Sequence, residues 1–458
     1  MLKSKLKSLS PDFIINFFTK GHERSRKAKR NIFASFMVKG ISILISLALV
    51  PITIKYVNPT NYGIWLTLSS IIGWASFFDI GFGNGLRNRF TEAITLGKHE
   101  LARIYISTTY AILSIIILTV FVIFLFVNFW LDWSKILNTS PDMASGLNVL
   151  AIIVFAFFSM QFVFQLITTI LTADQKPALA GFLNMLSSLL SLILILILIK
   201  FTKGNLIYLG YVMGGSPIII LLGSTIWFFR KKYRQYKPSF LFVKFSYAKD
   251  LMNLGVQFFI IQIMAITIFT TSNIIISQLF GPAEVTIYNI ALKYFSLPIA
   301  VFNIILAPFW SAFTEAYCRS DHAWIKSSVK GLLKIWALMS VLTIIMIFSA
   351  DLIYRIWVGP EIKIPFGITC LMGLYAIMIN WNNIFAFFLN GIGKIRVQLY
   401  SSTILGVLTI PVAVLFGKAI GLEGVILGSC LIMFLNSLFT PIQYFKIVRG
   451  TATGIWLK

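Results

Sequence analysis

The chain is 458 residues long, 58% hydrophobic and only 12% charged, with a mean hydropathy of +0.87. Soluble domains carry about a quarter of their residues as charges, so this composition argues against a soluble globular protein and for a membrane-embedded one. The formal charge of +24 invites a nucleic-acid partner, but its distribution gives it another purpose.

Residues 1–30 form a basic segment with nine Lys or Arg, "RSRKAKR" (24–30) among them. Its apolar stretch "FIINFF" (13–18) is too short for a cleavable signal and reads as a short interfacial helix. Twelve apolar runs follow, at 31–55, 63–85, 105–131, 144–171, 178–199, 205–229, 251–279, 286–312, 331–350, 366–390, 398–417 and 421–445. Each is near the 20 or so residues that a helix needs to cross a bilayer. None alternates apolar and polar residues as the strands of a membrane barrel do. With the N-terminus in the cytosol, about 29 of the 39 Lys and Arg fall in the tails and the even-numbered loops, against about 7 in the odd ones. Lys and Arg stay on the cytosolic side during insertion, so this split orients the chain with both termini inside. Basic cytosolic loops also sit well against anionic lipid, and no nucleic acid is needed to account for the charge. The linker "RKKYRQYKPSFLFVKFSYAK" (230–249) holds seven of the cations. Cys318, Cys370 and Cys430 form no C-x-x-C pair, so neither a disulfide framework nor a metal site is indicated.

The tetrapeptide FTEA occurs at 90–93 and again at 313–316, an offset of 223. At the same offset, without a gap, Pro59 falls on Pro282 and Ile64 on Ile287. "GNLIYLG" (204–210) is loosely echoed by "GLEGVILG" (421–428). The first six helices are thus repeated as the last six. Six being even, the repeat is parallel, with its pseudo-two-fold along the membrane normal. The expected fold is an all-α integral membrane protein of twelve transmembrane helices in two six-helix lobes. The organisation is a basic segment 1–30, a first lobe 31–229, a basic linker 230–250, a second lobe 251–445 and a tail 446–458. Glu92 and Glu315, at the membrane edge, read as loop-anchoring residues of each lobe.

Residues 59–93, "PTNYGIWLTLSSIIGWASFFDIGFGNGLRNRFTEA", resemble the second-helix region of polysaccharide exporters of the Wzx type. These are O-antigen and oligosaccharide-lipid flippases, within the superfamily that includes MATE multidrug exporters. Tyr62-Gly63, Asp79-x-Gly81 with its glycine- and asparagine-rich continuation, and Arg87 and Arg89 carry the resemblance. It implies a cavity between the lobes that opens alternately to each side. It also implies a lipid-diphosphate-linked oligosaccharide, on undecaprenyl, as the cargo moved outward across a bacterial inner membrane. The polysaccharide polymerase machinery becomes a candidate partner. No cofactor is expected, and proton or sodium coupling stays open.

Ionisable groups at membrane depth are the most informative residues, because each is costly there without water, a partner or a substrate. Lys39 lies nine residues beyond Arg30 and Asp79 eight before Arg87, both about 12–13 Å from the inner surface at 1.5 Å per residue. Equal depth offers either a Lys39–Asp79 ion pair or a place for Asp79 in ion coupling and Lys39 in binding a phosphate. Lys293 has no acidic residue in the preceding helix to pair with, which leaves an aqueous cavity, an anionic ligand, or a side chain reaching outward to the headgroups. Two lysines against one aspartate favour a diphosphate over a cationic drug. Arg87 and Arg89 at the inner mouth are placed to collect the headgroup, or simply to set topology. Asn273, Asn289 and Asn380, with Gln257, Asn382, Asn383 and Trp381, offer amide and aromatic contacts for sugars, though interhelical hydrogen bonding accounts for each alone. Pro51, Pro217, Pro298, Pro308 and Pro411 permit bends that a rocking lobe uses.

A MATE-like cation-coupled exporter is the alternative, opposed by the positive deep charge. A membrane enzyme is disfavoured, because the longest external loops, near 132–143 and 351–365, carry no His or paired carboxylates. No catalytic residue and no P-loop is found.

Overall fold

The computed structural model describes residues 23–79, 81–174, 176–252 and 271–457. The segment 13–18, Gln257, and the side chains of Pro308, Glu315 and Cys318 lie outside the described residues.

The spans follow the apolar runs in order. α1 (Glu23–Val57) forms the first. The second is broken into α2 (Pro59–Gly73) and α3 (Phe82–Thr95) by a 3₁₀ turn at Trp74–Asp79. Gly81 sits at the joint with φ +81°, a backbone conformation open to glycine without Cβ strain. Asp79 Oδ1 accepts the Gly83 N–H at 3.0 Å and so caps the resumed helix. α4 (His99–Asn128) is the third span. A short external helix, α5 (Trp133–Leu137), precedes the fourth, which is α6 (Ala144–Phe164) and α7 (Leu166–Ala173) with a break at Gln165. α8 (Pro177–Phe201) and α9 (Leu206–Arg230) complete the first lobe.

In the second lobe α10, helical over 271–280, is the described part of the seventh span. It is followed by α11 (Pro282–Cys318), α12 (His322–Val358), α13 (Phe366–Gly391), α14 (Arg396–Ile420) and α15 (Leu422–Val448). Ten of the described helices are long and apolar enough to cross a membrane. The broken second span and the partly described seventh account for the difference from twelve. The protein is a multi-pass membrane protein.

Packing repeats between the lobes. In the first, span two contacts three and four, three contacts four, and six contacts four and five. Adding six to each number gives contacts that the second lobe makes: eight with nine and ten, nine with ten, twelve with ten and eleven. α2 and α11, which are spans two and eight, pack on each other across the pseudo-axis.

The end of the bundle at Pro59 and Pro282 is external under the charge-based orientation and is called the outer end here. Toward it, one apolar core joins both lobes, with Ile64, Leu68 and Leu150 beside Ile276, Val285 and Ile290. Toward the inner end the core divides. Phe82, Leu86, Phe90 and Ile170 belong to a cluster of the first lobe, joined by linker residues and by Leu251 at the start of the seventh span. Phe302, Phe313, Ile325 and Phe388 belong to a cluster of the second alone. Among the described residues the lobes share one core toward the outer end and have distinct clusters toward the inner end. Phe90 with Ala93 and Phe313 with Ala316 are the buried members of the two FTEA copies, so the repeat encodes equivalent inner cores.

Candidate functional site

The seam between the lobes is built in layers from the outer end. The first is a clasp. α5 is anchored in the first lobe by buried Trp133, whose Nε1 donates to Asn128 Oδ1 at 2.7 Å. Asp132 caps it, accepting from the Ser134 and Lys135 N–H groups. The Ser134 hydroxyl and Lys135 stabilise the charged form and hold the Asp132 carboxyl down at about 2. Asn138, with φ +52° at the end of α5, donates from Nδ2 to the carbonyls of Ser277 at 3.1 Å and Gln278 at 3.4 Å on α10. In return Ser277 Oγ donates to the Leu137 carbonyl at 2.9 Å, and Gln278 Nε2 to the carbonyls of Lys135 and Ile136.

The second layer lies on the pseudo-axis. Thr286 Oγ1 donates to the Pro59 carbonyl at 2.6 Å. A Cβ on Gly63 would lie only 1.7 Å from the Pro282 carbonyl oxygen, so glycine is what lets the helices meet. The third layer is an amide bridge. Asn273 Nδ2 donates to Ser70 Oγ at 2.9 Å across the seam, and Asn289 Nδ2 donates to Asn273 Oδ1 at 2.8 Å.

Lys293 comes next. It lies one turn inward of Asn289 on the stripe that also carries Thr286 and Pro282. Its counterpart at the 223 offset is Ser70, so it stands on the seam-facing side of α11. It is partly buried, and none of the ion pairs among the described residues involves it. Lys39 is exposed and shares a helix stripe with Ser46, Val50 and Thr53, spaced at seven, eleven and fourteen residues. Val50 and Thr53 are buried in the bundle. Exposed Met37, Ile41 and Leu44 occupy the opposite side of α1. Lys39 is therefore exposed on the side of α1 that is buried farther along the helix.

The remaining expected site residues divide. The Lys39–Asp79 pair is not formed, because Asp79 turns to the Gly83 N–H at the helix break. Arg89 pairs with Glu92 at 2.8 Å, and its Nε donates to the Asp250 carbonyl at 3.4 Å. It is a joint between α3 and the start of the seventh span rather than a free cation at the mouth. Glu92, expected to anchor a loop, pairs instead with Arg89 three residues before it on the same helix. Thr91 ties α3 to α7 by donating to the Ala173 carbonyl at 3.0 Å. Arg87 lines an inner groove of about 650 Å³ with Asn88, Thr91, Thr95 and Thr172. Buried Asn380 donates to the Pro298 carbonyl at 3.5 Å, Asn382 accepts from Thr440, and Asn383 donates to Asn303. Trp381 Nε1 donates to the Ser437 carbonyl. These bonds join the tenth span to the eighth and twelfth, while the buried Oδ1 of Asn380 has no hydrogen-bond partner among the described residues.

Sequence reasoning missed Ser70 and the Asn138 clasp. The 223 offset pairs Gly63 with Thr286 and Ser70 with Lys293, so extending the register would have marked the seam.

A family model described as "Polysaccharide biosynthesis protein" matches residues 28–312. A candidate O-antigen export protein of Yersinia pseudotuberculosis is 22% identical over 78% of this chain and 81% of its own length. A candidate O-antigen transporter of Salmonella typhimurium is 21% identical over 90% of this chain and 95% of its own. Among solved structures, an inward-facing multidrug-resistance MATE family transporter of the MOP superfamily superposes with a TM-score of 0.74 at 15% identity, covering 92% of this chain and all of that one. An outward-facing MATE family transporter gives 0.66 at 15% identity, covering 93% and 97%.

Proposed function

Because this chain belongs to the polysaccharide biosynthesis protein family, we propose that it flips a lipid-diphosphate-linked oligosaccharide across the bacterial inner membrane by alternating access. The names of its relatives support an exporter of polysaccharide. The observation that carries the finer reading is the position of Lys293. A cation stands immediately inward of the outer closure, facing the seam, with Lys39 exposed on the side of α1 that is buried farther along the helix.

The physical chemistry is direct. A cation at this depth is costly without water or a counter-charge, and a diphosphate supplies that charge. Entry from the inner side, where the cores are separate, brings the phosphates toward Lys39 and then Lys293. The ligand moves the lobes only in so far as it binds the outward-open arrangement better. Closing the inner halves around the headgroup brings both lysines to it, and that added contact is the differential affinity required. The outer layers then part: the clasp, the Gly63–Pro282 contact and the amide bridge. The polyprenyl tail stays in lipid throughout, so only the headgroup needs a polar route.

The test is reconstitution in liposomes with an undecaprenyl-diphosphate oligosaccharide, scoring its appearance in the opposite leaflet. Wild-type protein moves the glycolipid, and Lys293→Ala does not. Transport of an organic cation with no movement of glycolipid would overturn the proposal in favour of a MATE-like exporter.

A further inference from the structure

The basic linker is not a free tether between the lobes. It lies along the first turns of α4 and climbs them. Tyr236 OH bonds His99 Nδ1 at 2.7 Å. Arg103 Nε donates to the Lys237 carbonyl at 3.0 Å, and its guanidinium lies 4.0 Å from the Phe242 ring centre. The Ser239 N–H donates to Ser107 Oγ at 3.2 Å, and the Lys244 N–H to Thr108 Oγ1 at 3.0 Å. From His99 to Ser107 the strap rises eight residues, about 12 Å along the helix.

That height has a meaning. From Ser107 to Asn128, where α4 ends, is 21 residues, or about 32 Å of helix. A hydrocarbon layer is about 30 Å thick. Ser107 and Thr108 therefore mark its inner boundary, and the strap covers both hydroxyls, which are buried.

At this level the strap presents Phe240 at 95% exposure, Leu241 at 88% and Phe245 at 57%. The turn carrying the first two has its backbone bonds made, Phe242 N–H to the Ser239 carbonyl and Val243 N–H to the Phe240 carbonyl. Two of the tip's backbone N–H groups are thus paired within the turn, which lowers the cost of placing it against lipid. Around it Arg234, Lys237, Lys244 and Lys249 are exposed, and no Asp or Glu occurs from 230 to 249.

We propose that residues 237–249 form an anchor in the inner leaflet. Phe240, Leu241 and Phe245 enter among the acyl chains, and Lys237, Lys244 and Lys249 take anionic phospholipid headgroups. Apolar insertion and several cations together are the combination that holds a segment at a charged membrane surface. The anchor continues directly into Asp250 and Leu251, whose carbonyls meet Arg89 and Gly85 of α3. Lipid thereby helps to fix where the seventh span enters the bundle.

The test is the full chain with p-benzoylphenylalanine at position 240, photolysed in vesicles of phosphatidylethanolamine containing some phosphatidylglycerol. The same probe at Lys231, exposed in the turn after α9, is the control. The expected result is a lipid adduct from position 240 and none from 231, with phosphatidylglycerol enriched above its share, by up to about fivefold per lysine. Replacing Lys237, Lys244 and Lys249 together with Gln keeps the lipid adduct and abolishes the enrichment. Adducts to protein alone, or no lipid adduct beyond the control, overturn the insertion. Enrichment that survives the triple replacement overturns the headgroup contacts.

Discussion

Thr286 and Pro59 are joined by a 2.6 Å hydrogen bond across the lobe seam, and their counterparts at the 223 offset, Gly63 and Pro282, are also in contact. Each lobe offers a proline carbonyl and receives the other's at the residue four positions further on. This is the self-complementary geometry of a two-fold interface, written within one chain. One copy uses a hydroxyl and the other the missing side chain of glycine.

Gly63→Ala is expected to force the outer ends apart, since the new methyl would overlap the Pro282 carbonyl. Overpacking of this kind costs about 1–3 kcal/mol, enough to shift a two-state population by roughly five- to hundredfold. Pulsed dipolar spectroscopy between spin labels at Asn58 and Ala283, with the native cysteines replaced, would show the longer outer distance gaining population.

Asn273→Ala removes the centre of the amide bridge, while Ser70 keeps its bond to the Leu66 carbonyl and Asn289 its bond to the Val285 carbonyl. Each hydrogen bond lost is worth about 0.5–1.5 kcal/mol. Faster labelling of a cysteine at Ser69, whose hydroxyl makes no hydrogen bond among the described residues, is expected from the outer side, against slow labelling in the otherwise native protein. A sugar-binding role for Asn273 would instead appear as weaker glycolipid binding with unchanged outer labelling.

Lys293→Ala and Lys39→Ala are each expected to insert and fold normally yet lose roughly tenfold or more of glycolipid translocation, the scale of a hydrogen bond to a charged group. Adding Asp79→Ala to Lys39→Ala should restore nothing, because no ion pair joins them. Rescue in the liposome assay would reinstate the pair.

Asp132 titrates far below any physiological pH. Its folded carboxyl is depressed from 3.8 to about 2, so its capping contribution is complete above the unfolded value and is lost as pH falls through about 2. Accessibility of a cysteine at Thr139, whose hydroxyl makes no hydrogen bond among the described residues, should be flat from pH 5 to 8 in the otherwise native protein. Asp132→Ala should raise it at every pH in that range. A step between pH 5 and 8 in the native protein would place a different titrating group at the clasp.

How much was legible in the sequence depends on whether the signal was local. The apolar runs mark the spans, because hydropathy and length are properties of each segment by itself. The breaks at Trp74–Asp79 and at Gln165 were not read, since apolar residues run straight through both. Asp79 and Gly81 carry the chemistry of a cap and a left-handed turn, so the first break had a signature; Gln165 has neither Gly nor Pro beside it. Depth along an axis placed Lys39 and Asp79 at one level, but the turn within the second span changed which way Asp79 faces. The strap and the clasp rest on bonds between residues more than a hundred positions apart, such as Ser239 with Ser107 and Asn138 with Ser277. No window on the chain contains both ends of either.

Every acceptor in the Asn138 clasp is a main-chain carbonyl: Ser277 and Gln278 on one side, Lys135, Ile136 and Leu137 on the other. Evolutionary drift at Lys135, Ile136 and Leu137 can therefore proceed without erasing the bonds they receive. The bonds across the seam are inherited through the side chains of Asn138, Ser277 and Gln278, and a lineage that changes those has remade its outer door.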